Sequence, residues 1–230
     1  MILEFDDLSL HDDIRFVDGS IPVLFLHSAL ATGEELEGLQ ARFPERTTIT
    51  LDLPGHGEST TTRQAIDTAW IGEILSQMLD RLHVPTVDII GYSLGGYVGL
   101  ELAVQAPTKV RSVVSHAMKY YWTPEAIEAA VQTFSKAPTP PRTIELTATL
   151  LRNFNKRQLS VTDIQHSNVP ALITTGAMDK FVTAREVEKL ANAIGNPQAT
   201  SLIFADVRHS LASLPLDVFE SAVREFWSRG

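Results

Sequence analysis

The chain has 230 residues, 44% of them hydrophobic, a formal net charge of −9 and no cysteine. That length suits one large α/β domain with a substantial core, and the negative balance without any basic run argues against nucleic-acid binding. The missing cysteines exclude disulfides, thiolate catalysis and cysteine-based metal sites.

In chain order, residues 1–7 have neither the basic start nor the apolar run of a signal peptide. No segment approaches the roughly 18 apolar residues of a membrane span, so a soluble, cytoplasmic protein is expected. Ile14-Arg15-Phe16-Val17 before Asp18-Gly19 reads as a strand and turn. The unbroken apolar run Pro22-Val23-Leu24-Phe25-Leu26-His27 is that of a strand covered on both faces in a parallel sheet. The small-residue loop Ser28-Ala29-Leu30-Ala31-Thr32-Gly33 leads to a helix over 34–42 and a strand at Thr48-Ile49-Thr50-Leu51. Asp52-Leu53-Pro54-Gly55-His56-Gly57-Glu58-Ser59 is then all turn chemistry. Ile66, Trp70, Ile74, Leu75, Met78, Leu79 and Leu82 recur at helical spacing and predict an amphipathic helix over 62–82. A strand at 87–90, a helix after Ser93 and a strand at 110–114 follow. The alternation breaks at about 116–168, where a helix starting at Thr123-Pro124-Glu125 and a second over 143–156 flank Ala137-Pro138-Thr139-Pro140-Pro141. This insertion reads as a short helical cap inside a single domain. Strand 170–176, helix 183–194, strand 200–204 and helix 216–228 resume the pattern. The fold class is α/β: a mostly parallel, doubly wound sheet with helices on both faces, which binds ligands beyond the C-terminal strand ends.

The chemistry centres on Gly91-Tyr92-Ser93-Leu94-Gly95, between a β-type run (Val87, Ile89, Ile90) and a helix-forming stretch. Strand, sharp turn and helix with serine at the apex is the layout of a nucleophile elbow, and the flanking glycines give the room that a strained apex needs. A serine hydroxyl needs a base and the base an orienting acid; in this layout they follow in the order serine, acid, histidine. Asp179, just past strand 170–176, and His209, just past strand 200–204, stand in that order at the sheet edge where Ser93 lies. Of the seven histidines, His116 is the rival base, because it ends a strand. His27 and His56 lie at the same edge but precede the serine, and read as braces for loops. Asp206 is the rival acid, with a solvated loop position as its plainer reading. Asp179 itself has the plainer reading of a helix-start acid before Thr183. No metal site is expected: there is no cysteine and no paired-histidine spacing.

Leu24-Phe25-Leu26-His27, the 52–59 turn, Gly91-Tyr92-Ser93-Leu94-Gly95-Gly96, Gly176-Ala177-Met178-Asp179 and the His209 loop together resemble the α/β-hydrolase superfamily over essentially the whole chain. The resemblance implies a Ser93–His209–Asp179 triad and an oxyanion hole of two backbone N–H groups. One is that of Leu94. The other lies in the loop after His27, where Ser28 replaces the family's usual glycine and Ala29 is the donor by position. It implies a serine hydrolase of the carboxylesterase type, acting through an acyl-enzyme on a small-molecule substrate with a small or medium acyl group, without a cofactor. A C–C bond hydrolase or lyase and a perhydrolase use the same triad. The pyruvate-eliminating synthase of menaquinone biosynthesis is similar in 52–59 and 91–96, but has arginine where this chain has Tyr97. A non-catalytic ligand-binding member of the fold is the reading from another class. Lys119, Tyr120, Tyr121 and Trp122 open the cap, either as walls of the substrate pocket or as cap packing.

Overall fold

Alternate residues of the central strands feed two apolar cores, one on each face of a single sheet. In the computed structural model, which describes residues 1–229, β3 (Val23–Leu26) sends Leu24 and Leu26 to one core and Val23 and Phe25 to the other. Burial on both faces is why its sequence is an unbroken apolar run. The sheet order is β1 (Ile2–Phe5), β2 (Leu8–Arg15), β4 (Thr48–Leu51), β3, β6 (Val87–Tyr92), β7 (Val110–His116), β8 (Ala171–Gly176) and β9 (Thr200–Phe204), with β5 (Thr60–Thr61) paired to β2. From β4 to β9 along this order the pairs are parallel, whereas β2 pairs antiparallel with β1, β4 and β5. Helices α2 (Thr68–Arg81), α3 (Leu94–Gln105) and α7 (Ala184–Ile194) pack into the first core; α1 (Glu37–Gln40) and α8 (Leu216–Ser228) pack into the second. Among the described residues, no helix is long and apolar enough to cross a membrane.

Several boundaries differ from the sequence reading, each for a local reason. The strand expected at 14–17 is β2 over Leu8–Arg15, preceded by β1. Its inward positions are Leu8, Leu10 and Asp12, and a buried aspartate among them masks the two-residue period. The helix expected from residue 62 starts at Thr68, where the Asp67 side chain accepts the Trp70 N–H. The helix expected over 34–42 is a 3₁₀ turn, Gly33–Leu36, followed by the four-residue α1. Between β7 and β8 stand α4 (Pro124–Phe134), α5 (Pro141–Asn153) and one more helix than expected, α6 (Val161–Ser167), started by a reciprocal Ser160–Asp163 capping box.

Polar bonds fasten this inserted segment to the helix that follows Ser93. The Tyr97 hydroxyl accepts the Leu159 N–H at 2.7 Å. Glu101, fully buried in α3, takes a two-pronged ion pair from Arg157 at 2.9 and 2.6 Å, and also accepts from Gln105 and Thr68. Removing one partner of such a pair leaves a charge stranded in low dielectric, which costs more than the pair itself contributes. Arg157→Met is therefore expected to lower stability by about 3 kcal/mol. Adding Glu101→Gln to it should recover part of the loss, read as the shift in urea midpoint. A double variant no more stable than Arg157→Met would show that Glu101 is not the stranded charge.

Candidate active site

Three loops at the C-terminal ends of parallel strands bring Ser93, Asp179 and His209 together. Ser93 sits between β6 and α3 with φ 50° and ψ −111°, a conformation that L-residues adopt only when the surroundings over-determine it. Its N–H is held by the carbonyl of His116 on the adjacent strand at 2.8 Å. A side chain on Gly91 would come within 2.5 Å of the Gly95 backbone, and one on Gly95 within 2.0 Å of the Leu26 carbonyl oxygen. Only glycine allows α3 to turn so sharply against the ends of β6 and β3.

The Ser93 hydroxyl faces His209 Nε2 at 3.4 Å, and the other ring nitrogen, Nδ1, lies 2.8 Å from Asp179 Oδ2. The outer bond is long for a hydrogen bond, as is common before substrate closes such a site. Asp179 Oδ1 accepts the N–H groups of Phe181 and Val182 at 2.7 and 3.0 Å, and Thr175 donates its hydroxyl to Oδ2 at 3.3 Å. Burial pushes the Asp179 carboxyl up, but the bonds from His209 and from these two backbone N–H groups outweigh it and hold the group below its ordinary value. An ionised acid beside Nδ1 fixes the tautomer that leaves Nε2 free to accept the serine proton. The Tyr92 hydroxyl donates to the His209 carbonyl at 2.6 Å and pins the loop.

The rival residues sit elsewhere. His116 is buried among Tyr92, Phe204 and Phe219, with Nδ1 on the Thr174 hydroxyl at 2.9 Å, and burial depresses it to about 4. Asp206 is exposed on the β9 loop. His27 and His56 do brace loops. His27 donates through Nδ1 to the Ser28 carbonyl at 2.7 Å and accepts the Leu53 N–H through Nε2 at 2.8 Å; burial pushes it down to about 3. His56 reaches the Pro54 carbonyl and the Thr147 hydroxyl of α5. The 52–59 turn serves the same end: the Asp52 carboxylate accepts the N–H groups of Gly33 and Glu58 at 2.8 and 2.9 Å. Gly57, at φ +51°, lets that carboxylate fit.

Ser93, Leu94 and Ala29 share the wall of a narrow cavity of about 40 Å³ with Tyr97, Lys119, Trp122, Phe134, Thr147, Leu150, Leu151 and Phe154. Leu94 opens α3, where N–H groups have no acceptor within the helix. Of the aromatic run at 120–122, only Trp122 reaches this wall. Gln158 bonds both the N–H and the carbonyl of Trp122, whose indole N–H donates to the Lys119 carbonyl at 3.2 Å and whose ring stacks on Phe154 at 5.8 Å. Tyr121 points outward, 59% exposed, and Tyr120 packs half-buried on the main core, so neither lines this cavity. Lys119 contributes its stem, because its ammonium is held by Glu186 at 3.0 Å and by the Phe181 carbonyl. Tyr97 and the walls from α4 and α5 were not singled out as pocket residues by the sequence. Their only signal there is the apolar face of each helix, which is also what packing produces. Among the described residues, no group of acidic or histidine side chains could hold a metal ion.

A family model described as the alpha/beta hydrolase fold matches residues 21–139, more than half of the chain. Over 100 residues the chain is 35% identical to the dihydrolipoyllysine-residue acetyltransferase component of the acetoin cleaving system of Pseudomonas putida, covering 42% of this chain and 26% of that protein. It is also 35% identical over 92 residues to the pimeloyl-[acyl-carrier protein] methyl ester esterase of Neisseria meningitidis, covering 40% of this chain and 34% of that one. The matched stretches thus span about a quarter to a third of these relatives' lengths. Among solved structures it is similar to a thermophilic esterase from Thermogutta terrifontis, with a TM-score of 0.85 and 17% identity over 100% of this chain and 98% of that chain. That likeness is one of fold.

Three deeply buried histidines, His27, His56 and His116, set an acid limit, because burial pushes each of them down. His27 and His116 are depressed to about 3 and about 4 and are neutral in the folded protein. As pH falls through the ordinary histidine value near 6.5, the unfolded chain takes up protons that the folded chain cannot. Their contribution is whole above about 6.5 and is lost below it, at about 1.4 kcal/mol per pH unit for each histidine. The urea midpoint is expected to be flat from pH 8 to 7 and to fall from 6.5 to 4.5, with a shallower fall in His116→Asn. A flat midpoint down to pH 5 would show that these rings are not held neutral.

Proposed function

Because the chain belongs to the α/β-hydrolase fold family, we propose that it is a serine hydrolase that cleaves esters of small or medium acyl groups through an acyl-enzyme. The observation that carries this reading is the continuous relay Ser93 Oγ–His209–Asp179, with spacings of 3.4 and 2.8 Å. His209 Nε2 takes the Ser93 proton as Oγ attacks the acyl carbonyl, and Asp179 stabilises the imidazolium that forms. The N–H groups of Leu94 and Ala29, on the same cavity wall as Ser93, meet the oxyanion, typically for about 3 kcal/mol each. His209 returns its proton to the leaving alkoxide, and water repeats the sequence on the acyl-enzyme. The reading requires no cofactor and no partner beyond the acyl substrate.

Two features support an apolar acyl group over an anionic one. Tyr97 is T-stacked on Phe154 at 4.8 Å, and its hydroxyl is spent on Leu159. Lys119, the one cation on the cavity wall among the described residues, is already paired with Glu186. An elimination on a multiply anionic substrate would need a free cation there. The cavity is small, about 40 Å³, which favours short chains. The Neisseria relative, itself named a methyl ester esterase, supports ester cleavage as the reaction type.

Ser93→Ala is expected to abolish ester hydrolysis while the fold is retained, and a fluorophosphonate probe should label the native protein at Ser93 alone. Labelling that survives in Ser93→Ala would remove the nucleophile. Asp179→Asn should lower kcat by about four orders of magnitude, as a wrongly held tautomer does, while Asp206→Asn changes little. In the same assay His209→Ala should lose activity and His116→Ala should keep it if folded; an exchange of results within either pair would reassign that role. For the pocket, Trp122→Ala should move the best substrate toward longer acyl chains, each added methylene gaining about fourfold in kcat/KM from about 0.8 kcal/mol of burial. A chain-length profile that overlays the native one would make Trp122 a packing residue only.

A further inference from the structure

Ser28, standing where the resemblance expects glycine, is gripped at every polar atom. Its N–H and its hydroxyl donate to Glu35 Oε2 and Oε1, each at 2.9 Å, and its carbonyl accepts from His27 Nδ1 at 2.7 Å. The Ser28 N–H is therefore spent and cannot face a reacting oxygen. In a trans peptide the C=O and the following N–H point in opposite directions, so the His27 bond that holds the Ser28 carbonyl also fixes the aim of the Ala29 N–H. Among the described residues no peptide bond is cis. Glu35 holds the other side of the same residue. It can do so because the turn that carries it is itself tied down: Leu36 is fully buried, and the Gly33 N–H is bound to Asp52.

We propose that Glu35 is a positioning residue of the oxyanion hole, its carboxylate clamping both the N–H and the hydroxyl of Ser28 so that the Ala29 N–H stays aimed beside Ser93. This rests on the serine-hydrolase reading above. The clamp gives the serine at position 28 a purpose, since glycine would offer Glu35 only one of the two bonds. Burial leaves the Glu35 carboxyl above its ordinary value, and the bonds from Ser28 oppose that rise.

The test uses the full chain with a short-chain nitrophenyl ester, a trifluoromethyl ketone that forms a tetrahedral adduct, and the product carboxylic acid as a ground-state ligand. Glu35→Ala is expected to lower kcat about 100-fold with KM within twofold, since a donor displaced by about 1 Å loses that much. Its affinity for the ketone should fall in parallel with kcat/KM, and its affinity for the acid should stay as in the native protein. Glu35→Gln can still accept the Ser28 N–H and bond its hydroxyl, so it should recover most of the kcat. Ser28→Ala, which removes one of the two bonds, should fall between. Native kcat and ketone affinity in Glu35→Ala, or a loss carried by KM and product affinity, would overturn the proposal. If Glu35→Ala does not fold by circular dichroism, Ser28→Ala decides: native kcat and ketone affinity there would also overturn it. Failure of the underlying reading looks different, as full activity in Ser93→Ala or an unlabelled Ser93 in the native protein.

Discussion

The close approach of α3 to the ends of β6 and β3 is the constraint on which the rest of the site depends. It puts Ser93 into a backbone conformation that costs on the order of 1–3 kcal/mol. It also requires bare Cα atoms at positions 91 and 95, where any side chain would strike the backbone within 2.5 Å. The same contact has a second consequence. Gly95 rests on the carbonyls of Leu26 and His27, so the start of α3 is held against the root of the loop that carries Ser28 and Ala29. One tight packing therefore sets both the turn that carries Ser93 and the place of α3 against the end of β3. Strain at the apex is balanced by its surroundings: the Ser93 N–H is tied to β7, and α3 continues for twelve residues of almost wholly buried helix.

Histidine serves two opposite purposes at this edge of the sheet, and burial decides which. His27 and His116 lie deep, gain no carboxylate partner and are held neutral, which makes them rigid braces with a fixed tautomer. His209 keeps about a quarter of its side chain exposed and has the Asp179 carboxylate 2.8 Å from its Nδ1. The seven histidines thus divide by surroundings rather than by sequence context. Chain order alone left His116 as a rival, and its enclosure by Tyr92, Phe204 and Phe219 is what separates it from His209.

Residues whose surroundings are set by neighbours in sequence were legible before the structure. The strand over Thr200–Phe204 and the helix over Leu216–Ser228 have the bounds that their apolar patterns indicate. Asp179 and His209 stand where the loops after β8 and β9 meet Ser93. What escaped depends on contacts across the chain. β1 and much of β2 were hidden because Asp12 occupies an inward position that the two-residue period reserves for apolar side chains. Tyr120, Tyr121 and Trp122 look equivalent in sequence, and only contacts across the chain, the Gln158 bonds to the Trp122 backbone and the stacking of its ring on Phe154, set Trp122 apart. Glu35 reads as one more acid in an acidic helical stretch, and only its two bonds to Ser28 distinguish it.

The chemistry and the pocket are fastened to different parts of the molecule. Every bond that orients the triad ends on the sheet or its own loops: Asp179 on Phe181 and Val182, the His209 carbonyl on Tyr92, the Ser93 N–H on His116. The apolar walls that α4 and α5 contribute to the cavity reach the sheet domain through other bonds: Arg157 to Glu101, Leu159 to Tyr97, Thr147 to His56. None of those bonds touches Ser93, Asp179 or His209 directly. Residues such as Phe134, Leu150 and Leu151 can therefore change the size of the cavity without moving Ser93, His209 or Asp179. Tyr97 is the exception, since it belongs to the helix behind Ser93, lines the cavity and holds the insertion by its hydroxyl. A change there alters cavity shape and attachment together, so Tyr97 is where the shape of the cavity and the seating of the inserted helices are physically coupled.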